Sequence, residues 1–386
     1  MRFADVQHQR RAMSLLARAL RSGRRHHAYL FVGPDGVGKE LAARALAARL
    51  LCEASSPEAD ADACGVCRSC RLFESGGHPD FHLIHSGLHK LHPERSIRES
   101  KGLFLVVDVI RHFLIEPSSR SPNLGRQRVF VIRDAERMNE GAQNALLKTL
   151  EEPPGEACLI LTSASEARLL PTIRSRCQRI AFDLLPSEFV RQKLIELDSV
   201  PQERARLLAG LAEGRLGAAL QWHRIDLPAA LAAVVRTLDE GLAEDPESFA
   251  AALVETATAL AGRVREQAAP PPEPDDEKPK RKKPARAAAS SNVSTSEQRA
   301  ALKLVLMLCS TVFRDALARA AGCERLELLT DHADAIKRLD SSTSVENATR
   351  AIEGIAEAER MLDRNVAPQL TCERLATVLC GDVRAC

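Results

Sequence analysis

The chain has 386 residues, 45% of them apolar and 27% charged, with a formal net charge of +2. That length allows two or three domains with cores of their own, and that charge excludes a generally basic, nucleic-acid-coating polypeptide. Aromatic residues make up 3% while alanine and leucine are abundant, so helix is expected to dominate. No apolar run reaches the roughly 18 residues that a membrane-spanning helix needs. The arginine-rich start also lacks the apolar centre of a secretory signal. A cytoplasmic protein without membrane contact is the expectation.

Taken in order, the first element is a helix, with Ala12, Leu15, Leu16 and Ala19 at helical spacing. His27-Ala-Tyr-Leu-Phe-Val32 then reads as a strand, and an Ala/Leu-rich helix follows over Leu41 to Leu51. Between them stands Gly33-Pro-Asp-Gly-Val-Gly-Lys39, the G-x-x-x-x-G-K pattern of a phosphate-binding loop. Gly33, Gly36 and Gly38 let consecutive backbone N–H groups turn towards a phosphate chain, and Lys39 adds a cation at a helix N-terminus. The plain alternative is a chance glycine turn, but a strand before and a helix after are the context the pattern requires. Position 40 departs from the pattern, because a Ser or Thr hydroxyl normally ligates Mg²⁺ there and this chain has Glu40.

Four of the eleven cysteines cluster. Cys64, Cys67 and Cys70 form C-x-x-C-x-x-C with Cys52 upstream, which supplies four thiolates to one tetrahedral ion and predicts a closed, structural zinc site. Reduced structural cysteines are the alternative. His78, His82, His85, His89 and His92 follow in a Gly- and Pro-containing stretch and read as solvated, since a four-cysteine set needs no further ligand. Val106 to Phe113 reads as the start of a helix.

Val129 to Ile132 is a continuous β-branched and aromatic run, as expected for a parallel strand covered on both faces. In a phosphate-loop ATPase, acids just after such a strand hold Mg²⁺ and position the attacking water; here those positions are Arg133 and Asp134. A helix follows and stops at Pro153-Pro154, and Ala157 to Ser163 reads as a further strand. Arg174, Arg176 and Arg179 then lie close together, and charge pattern alone leaves a solvated loop and an anion-reaching cluster equally open.

Asn144-Ala-Leu-Leu-Lys-Thr-Leu-Glu-Glu-Pro-Pro154, the cysteine module and Ser175-Arg-Cys177 together resemble the clamp-loader subunits of bacterial DNA polymerase III, which are of the AAA+ type. The resemblance covers about residues 1–225, and more weakly Asp363 to Leu370 with Glu373. It implies an α/β fold: an AAA+ phosphate-loop domain with a parallel sheet over 1–182, carrying the zinc module at 52–70. A small helical lid over 183–224 and an all-α collar over 225–386 would follow. Composition adds that 266–296, with six prolines between Glu266 and Arg286 and a basic run over 278–286, is a disordered insertion in the collar. Cys309, Cys323, Cys372, Cys380 and Cys386 lack metal-like spacing and read as buried or free thiols.

Two subunit types of this family share these motifs, an ATP-hydrolysing gamma/tau motor and a non-hydrolysing delta-prime type. The motor has Ser or Thr after the loop lysine, an Asp-Glu pair after the central strand, and an arginine in its lid. This chain has Glu40, Arg133-Asp134, and Gly217 within Gly214-Arg-Leu-Gly-Ala-Ala-Leu220, with Arg215 two residues away. The resemblance therefore implies the delta-prime type, a part of the polymerase holoenzyme without ATPase activity of its own. It would scaffold a ring with gamma/tau and delta subunits, which places a sliding clamp on primed DNA. Arg176 would serve as an arginine finger in trans, directed at the γ-phosphate held by a neighbour. ATP binding at Gly33, Gly36, Gly38 and Lys39 is left open. The alternatives are a motor that uses Asp134 or Glu136, and a zinc-dependent DNA-binding module with a vestigial loop.

Overall fold

The computed structural model describes residues 2–23, 25–54, 62–100, 104–124, 127–241, 245–268, 293–323, 328–342 and 345–383. The chain divides into two compact units, one of Met1–Lys193 with Ala212–Ala218, the other of Leu194–Leu211 with Ala219–Cys386. The stretch expected to form a separate lid is divided between them.

In the first unit, α1 (Arg10–Arg21), β1 (Ala28–Val32), α2 (Lys39–Leu51), α3 (Arg68–Glu74), β2 (Phe81–Ile84) and α4 (Arg95–Arg98) come first. An irregular helical segment follows, in which α5 (Val107–Ile110) and α6 (Glu116–Ser118) flank a wider π-turn at Arg111–Ile115. Then come β3 (Arg128–Ile132), α7 (Glu140–Glu151), β4 (Ala157–Ser163), α8 (Pro171–Arg176) and β5 (Gln178–Ala181). The strands form one parallel sheet in the order β2-β3-β4-β1-β5.

Strand periodicity divides the core into two layers. Tyr29, Phe31, Val129, Val131, Cys158 and Ile160 face α1 and α2. Leu30, Val32, Phe130, Ile132, Leu159 and Leu161 face α5, α7 and α8. Because both faces are covered, β1, β3 and β4 are buried at every position, which is why their centres are apolar runs, with polar residues only at Arg128 and at Thr162-Ser163. α2 is wedged so tightly that ten of its thirteen residues are buried, Arg49 among them. The loops after β1, β3 and β4 gather at the carboxyl edge of the sheet, where the strand order reverses around β1.

The second unit is helical. It takes parts of α9 (Ser187–Asp198), α10 (Gln202–Ala212) and α11 (Leu216–Arg224), then α12 (Leu227–Gly241), α13 (Pro246–Ala268) and α14 (Thr295–Ala320). α15 (Ala333–Ser342), α16 (Val345–Asp363) and α17 (Pro368–Val383) complete it. Leu231, Leu238, Phe249, Leu302, Leu306, Ile355 and Leu375 are among its buried residues. α13 continues through Glu266, and Ser294 with Glu297 forms a reciprocal cap that starts α14. Helix therefore occupies both margins of the expected insertion at 266–296; its centre, 269–292 with the basic run, lies outside the described residues, as does Cys386. Cys309, Cys372 and Cys380 are buried and Cys323 is exposed. Among the described residues no helix is long and apolar enough to cross a membrane.

Asp80, fully buried before β2, accepts the backbone N–H groups of Asn123 at 2.6 Å and Leu124 at 2.8 Å, with Arg128 at 3.9 Å. Asp80→Ala leaves those donors without their acceptor, and should cost about 3 kcal/mol in denaturant unfolding. Asn at this position, which keeps one acceptor, should recover part of that loss.

Candidate nucleotide and metal sites

The phosphate loop starts directly from β1. Gly33 donates its N–H to the Ser163 carbonyl at 3.2 Å, and a Cβ there would lie 2.3 Å from the Phe182 carbonyl oxygen. Only glycine fits so close to that backbone. Gly36, at φ 77°, meets Gly217: the Gly217 N–H donates to the Gly36 carbonyl at 3.0 Å. A Cβ on Gly36 would come within 2.8 Å of Gly217 N, and a Cβ on Gly217 within 2.8 Å of Gly36 Cα. Gly38 caps α2, so Lys39 opens that helix. Buried Gln9, which sequence reasoning missed, donates to Val37 O at 3.3 Å and Asp183 O at 2.7 Å, tying the loop to the chain beyond β5.

Lys39 is buried, and its ammonium is turned onto its own loop. It donates to Gly33 O at 2.5 Å and Pro34 O at 2.8 Å, and meets Asp35 Oδ1 at 3.3 Å. Glu40 pairs with Arg44 one turn on, at 2.9 Å, and with Arg133 across the cleft, at 3.5 Å. The two departures noted in the sequence thus face each other: the carboxylate in the hydroxyl's place pairs with the cation in the acid's place. Asp134, at φ 53°, ends β3 with its N–H directed to Thr162 Oγ1 at 3.4 Å. Burial raises its carboxyl above the ordinary range, opposed by Arg137. Oxygens of Asp35, Asp134 and Glu136 lie within 4.8 Å of one another, and Glu136 also accepts the Ala164 N–H at 3.1 Å.

Arg176 ends the short α8. Its guanidinium donates to Thr172 O at 3.0 Å and pairs with Glu151 at 2.5 Å. Arg179 pairs with Glu166 at 2.8 Å, and Arg174 is partly buried. Gln143, buried on α7, accepts the Leu170 N–H at 2.8 Å and donates to Arg168 O at 3.2 Å, fixing where α8 begins. Arg215 donates to Ala212 O at 3.0 Å.

The four cysteines converge as their spacing predicts. The sulfurs of Cys52, Cys64, Cys67 and Cys70 all lie within 4.8 Å of one another, and Cys64 and Cys70 are 3.9 Å apart. A tetrahedral ion with metal–sulfur bonds of about 2.3 Å sets sulfurs about 3.8 Å apart, so the set fits a metal. Backbone N–H groups already point at the sulfurs: Cys64 N–H at Cys52, Cys67 N–H at Cys64 and Cys70 N–H at Cys67, all at 3.3–3.4 Å. The N–H groups of Val66 and Cys67 draw the Cys64 thiol down to about 6, while burial pushes Cys52 and Cys70 up. His78 braces this module. Its Nδ1 accepts the Asp80 N–H, so Nε2 carries the proton and donates to Ser69 Oγ at 2.7 Å, and Ser69 donates to Leu51 O at 2.6 Å.

The histidine stretch is not the solvated loop expected from its composition: His78, His89 and His92 are buried, and His82 stacks on Phe130 from within β2. Burial lowers the basicity of His78 and His82.

The family described as "DNA polymerase III, delta subunit" matches residues 8–186. Over that span the chain is similar to the DNA polymerase III clamp-loader subunits. Relatives of both types are similar to this chain. The DNA polymerase III subunit delta' of Pseudomonas aeruginosa is 42% identical over 41% of this chain and 43% of its own length. That of Bacillus subtilis is 36% identical over 53% of this chain and 56% of its own length. The DNA polymerase III subunit tau of Escherichia coli is 36% identical over 56% of this chain and 32% of its own length. The chain thus spans about half the length of the delta' relatives it matches.

Because Glu40 and Arg133 are both a third or more exposed, their pair contributes little to stability. A double-mutant cycle on Glu40→Ala and Arg133→Ala should return a coupling of about 0.2–1 kcal/mol in urea unfolding, weaker in high salt.

Proposed function

We propose that this chain is a non-hydrolysing, delta-prime type subunit of the DNA polymerase III clamp loader. The observation that carries this reading is the Glu40–Arg133 pair. Mg²⁺-assisted hydrolysis needs oxygen ligands at both places, and here a cation stands opposite a carboxylate it already neutralises. Two further features agree. The Lys39 ammonium is held by loop carbonyls rather than left for phosphate, and Gly217 N–H is bonded to the loop where a motor would present an arginine. Gly33, Gly36, Gly38 and Lys39 then serve as a structural loop, with nucleotide binding weak or lost.

In this role the chain holds geometry. It assembles with gamma/tau motors and a delta subunit into the ring that loads a sliding clamp on primed DNA, and Arg176 supplies a finger to a neighbour's γ-phosphate. Such a finger, given in trans, is worth about 10³–10⁵ in rate. Cys52, Cys64, Cys67 and Cys70 hold Zn²⁺ in a closed site, which fixes the module's fold and performs no chemistry. A second reading, an ATP-hydrolysing motor, draws on the carboxylates of Asp35, Asp134 and Glu136, which lie close enough together to share one cation.

ATP turnover by the purified chain, alone and reconstituted with motor and delta subunits, clamp and primed DNA, separates the two. The chain alone should be inactive, and Arg176→Ala should assemble normally and slow the complex. Turnover by the chain alone that disappears with Lys39→Ala would establish the motor instead. Cys67→Ser should lower zinc below one equivalent per chain by elemental analysis, and should increase protease cutting near the cysteine module; full retention of zinc would remove Cys67 from the ligand set.

A further inference from the structure

α8 is short, and a six-residue helix at the rim of a sheet has little to hold its last side chain in one place. Here α7 holds it at both ends. Gln143 takes the Leu170 N–H at the start of α8, and Glu151, two turns further along α7, takes the Arg176 guanidinium at its end. We propose that Glu151 is a positioning residue for Arg176, keeping the guanidinium in one orientation before a neighbouring subunit's nucleotide arrives. The inference rests on the reading of Arg176 as a finger given in trans.

The pair is not there for stability. Arg176 is 33% exposed and Glu151 48%, and ion pairs so open to water contribute little to folding. Its effect is on geometry. A free arginine samples many rotamers, and each must be given up when the side chain is ordered against a phosphate. With one nitrogen on Glu151 and another on Thr172 O, most of that ordering is already done, while the guanidinium keeps further N–H groups for an incoming oxygen. Arg179, three residues on, is paired with Glu166 in a different direction, so the bracket is particular to Arg176. The arrangement also gives Glu151 a purpose that its exposure and its place before Glu152 and the two prolines do not explain by themselves.

Two measurements test this. In the reconstituted complex, Glu151→Gln should lower kcat for ATP about tenfold and leave KM for ATP nearly unchanged, as expected when a transition-state group is held less well. In an Arg176→Ala background, Glu151→Gln should cause no further loss, and Glu151→Asp should recover part of the rate in the otherwise wild-type chain. Additive losses would overturn the proposal, because Glu151 would then act independently of Arg176. In the isolated chain, phenylglyoxal modification followed by peptide mass spectrometry should label Arg176 several-fold faster in Glu151→Gln, with Arg179 unchanged as the internal control. An unchanged Arg176 rate overturns the bracket and leaves the finger reading intact. A complex in which Arg176→Ala turns over normally overturns the finger reading, and the labelling contrast then shows whether Glu151 still restrains the side chain.

Discussion

The burial of β1 is the constraint on which the rest of the first unit depends. It has β4 on one edge, β5 on the other and apolar cover on both faces, so its carboxyl end arrives at one fixed place. The loop that leaves it has no freedom to retreat, since Phe182 stands 2.3 Å from where a Gly33 side chain would begin. Gly33 and Gly36 are therefore explained by packing before any ligand is considered, and Gly38 by its φ of 103°. A loop of this shape is required on packing grounds alone, because the sheet needs a chain that can turn in that space.

Electrostatics makes the same point. Phosphate loops serve nucleotides by leaving donors unsatisfied until phosphate arrives. In this chain three donors at or beside the loop are already engaged: the Lys39 ammonium by two loop carbonyls, the Arg133 guanidinium by Glu40, and the Gly217 N–H by Gly36. The Arg176 guanidinium is engaged too, by Glu151 and by the Thr172 carbonyl.

Much of this was legible in the sequence, and the physical reason is consistent. β1, β3 and β4 are buried on both faces, so their apolar runs stand out, and the cysteine module shows itself by ligand count. β2 and β5 were not anticipated: Phe81-His-Leu-Ile and Gln178-Arg-Ile-Ala are short, lie at the two edges of the sheet, and carry polar residues within them. The histidines were misread because what buries them is long-range, such as the bond from His78 to Ser69 and the stacking of His82 on Phe130. Position 217 could be aligned from sequence, but its close approach to Gly36 depends on two segments far apart in the chain. Glu151 was visible as a letter in a motif, while its pairing with Arg176 exists only once α8 has packed on α7.

The interlocked charges at positions 40 and 133 have a consequence for descent. Suppose an ancestor carried a hydroxyl at 40, an acid at 133 and an arginine at 217. Replacing Glu40 alone strands a cation beside the loop; replacing Arg133 alone adds an acid next to Glu40, Asp134 and Glu136; and any side chain at 217 strikes the Gly36 backbone. The first two steps cost little, because the Glu40–Arg133 pair is open to water, whereas the third meets backbone. Position 217 is thus the slow step in any such exchange: a side chain there needs the Gly36 loop to move first, while the charges at 40 and 133 are free to drift singly.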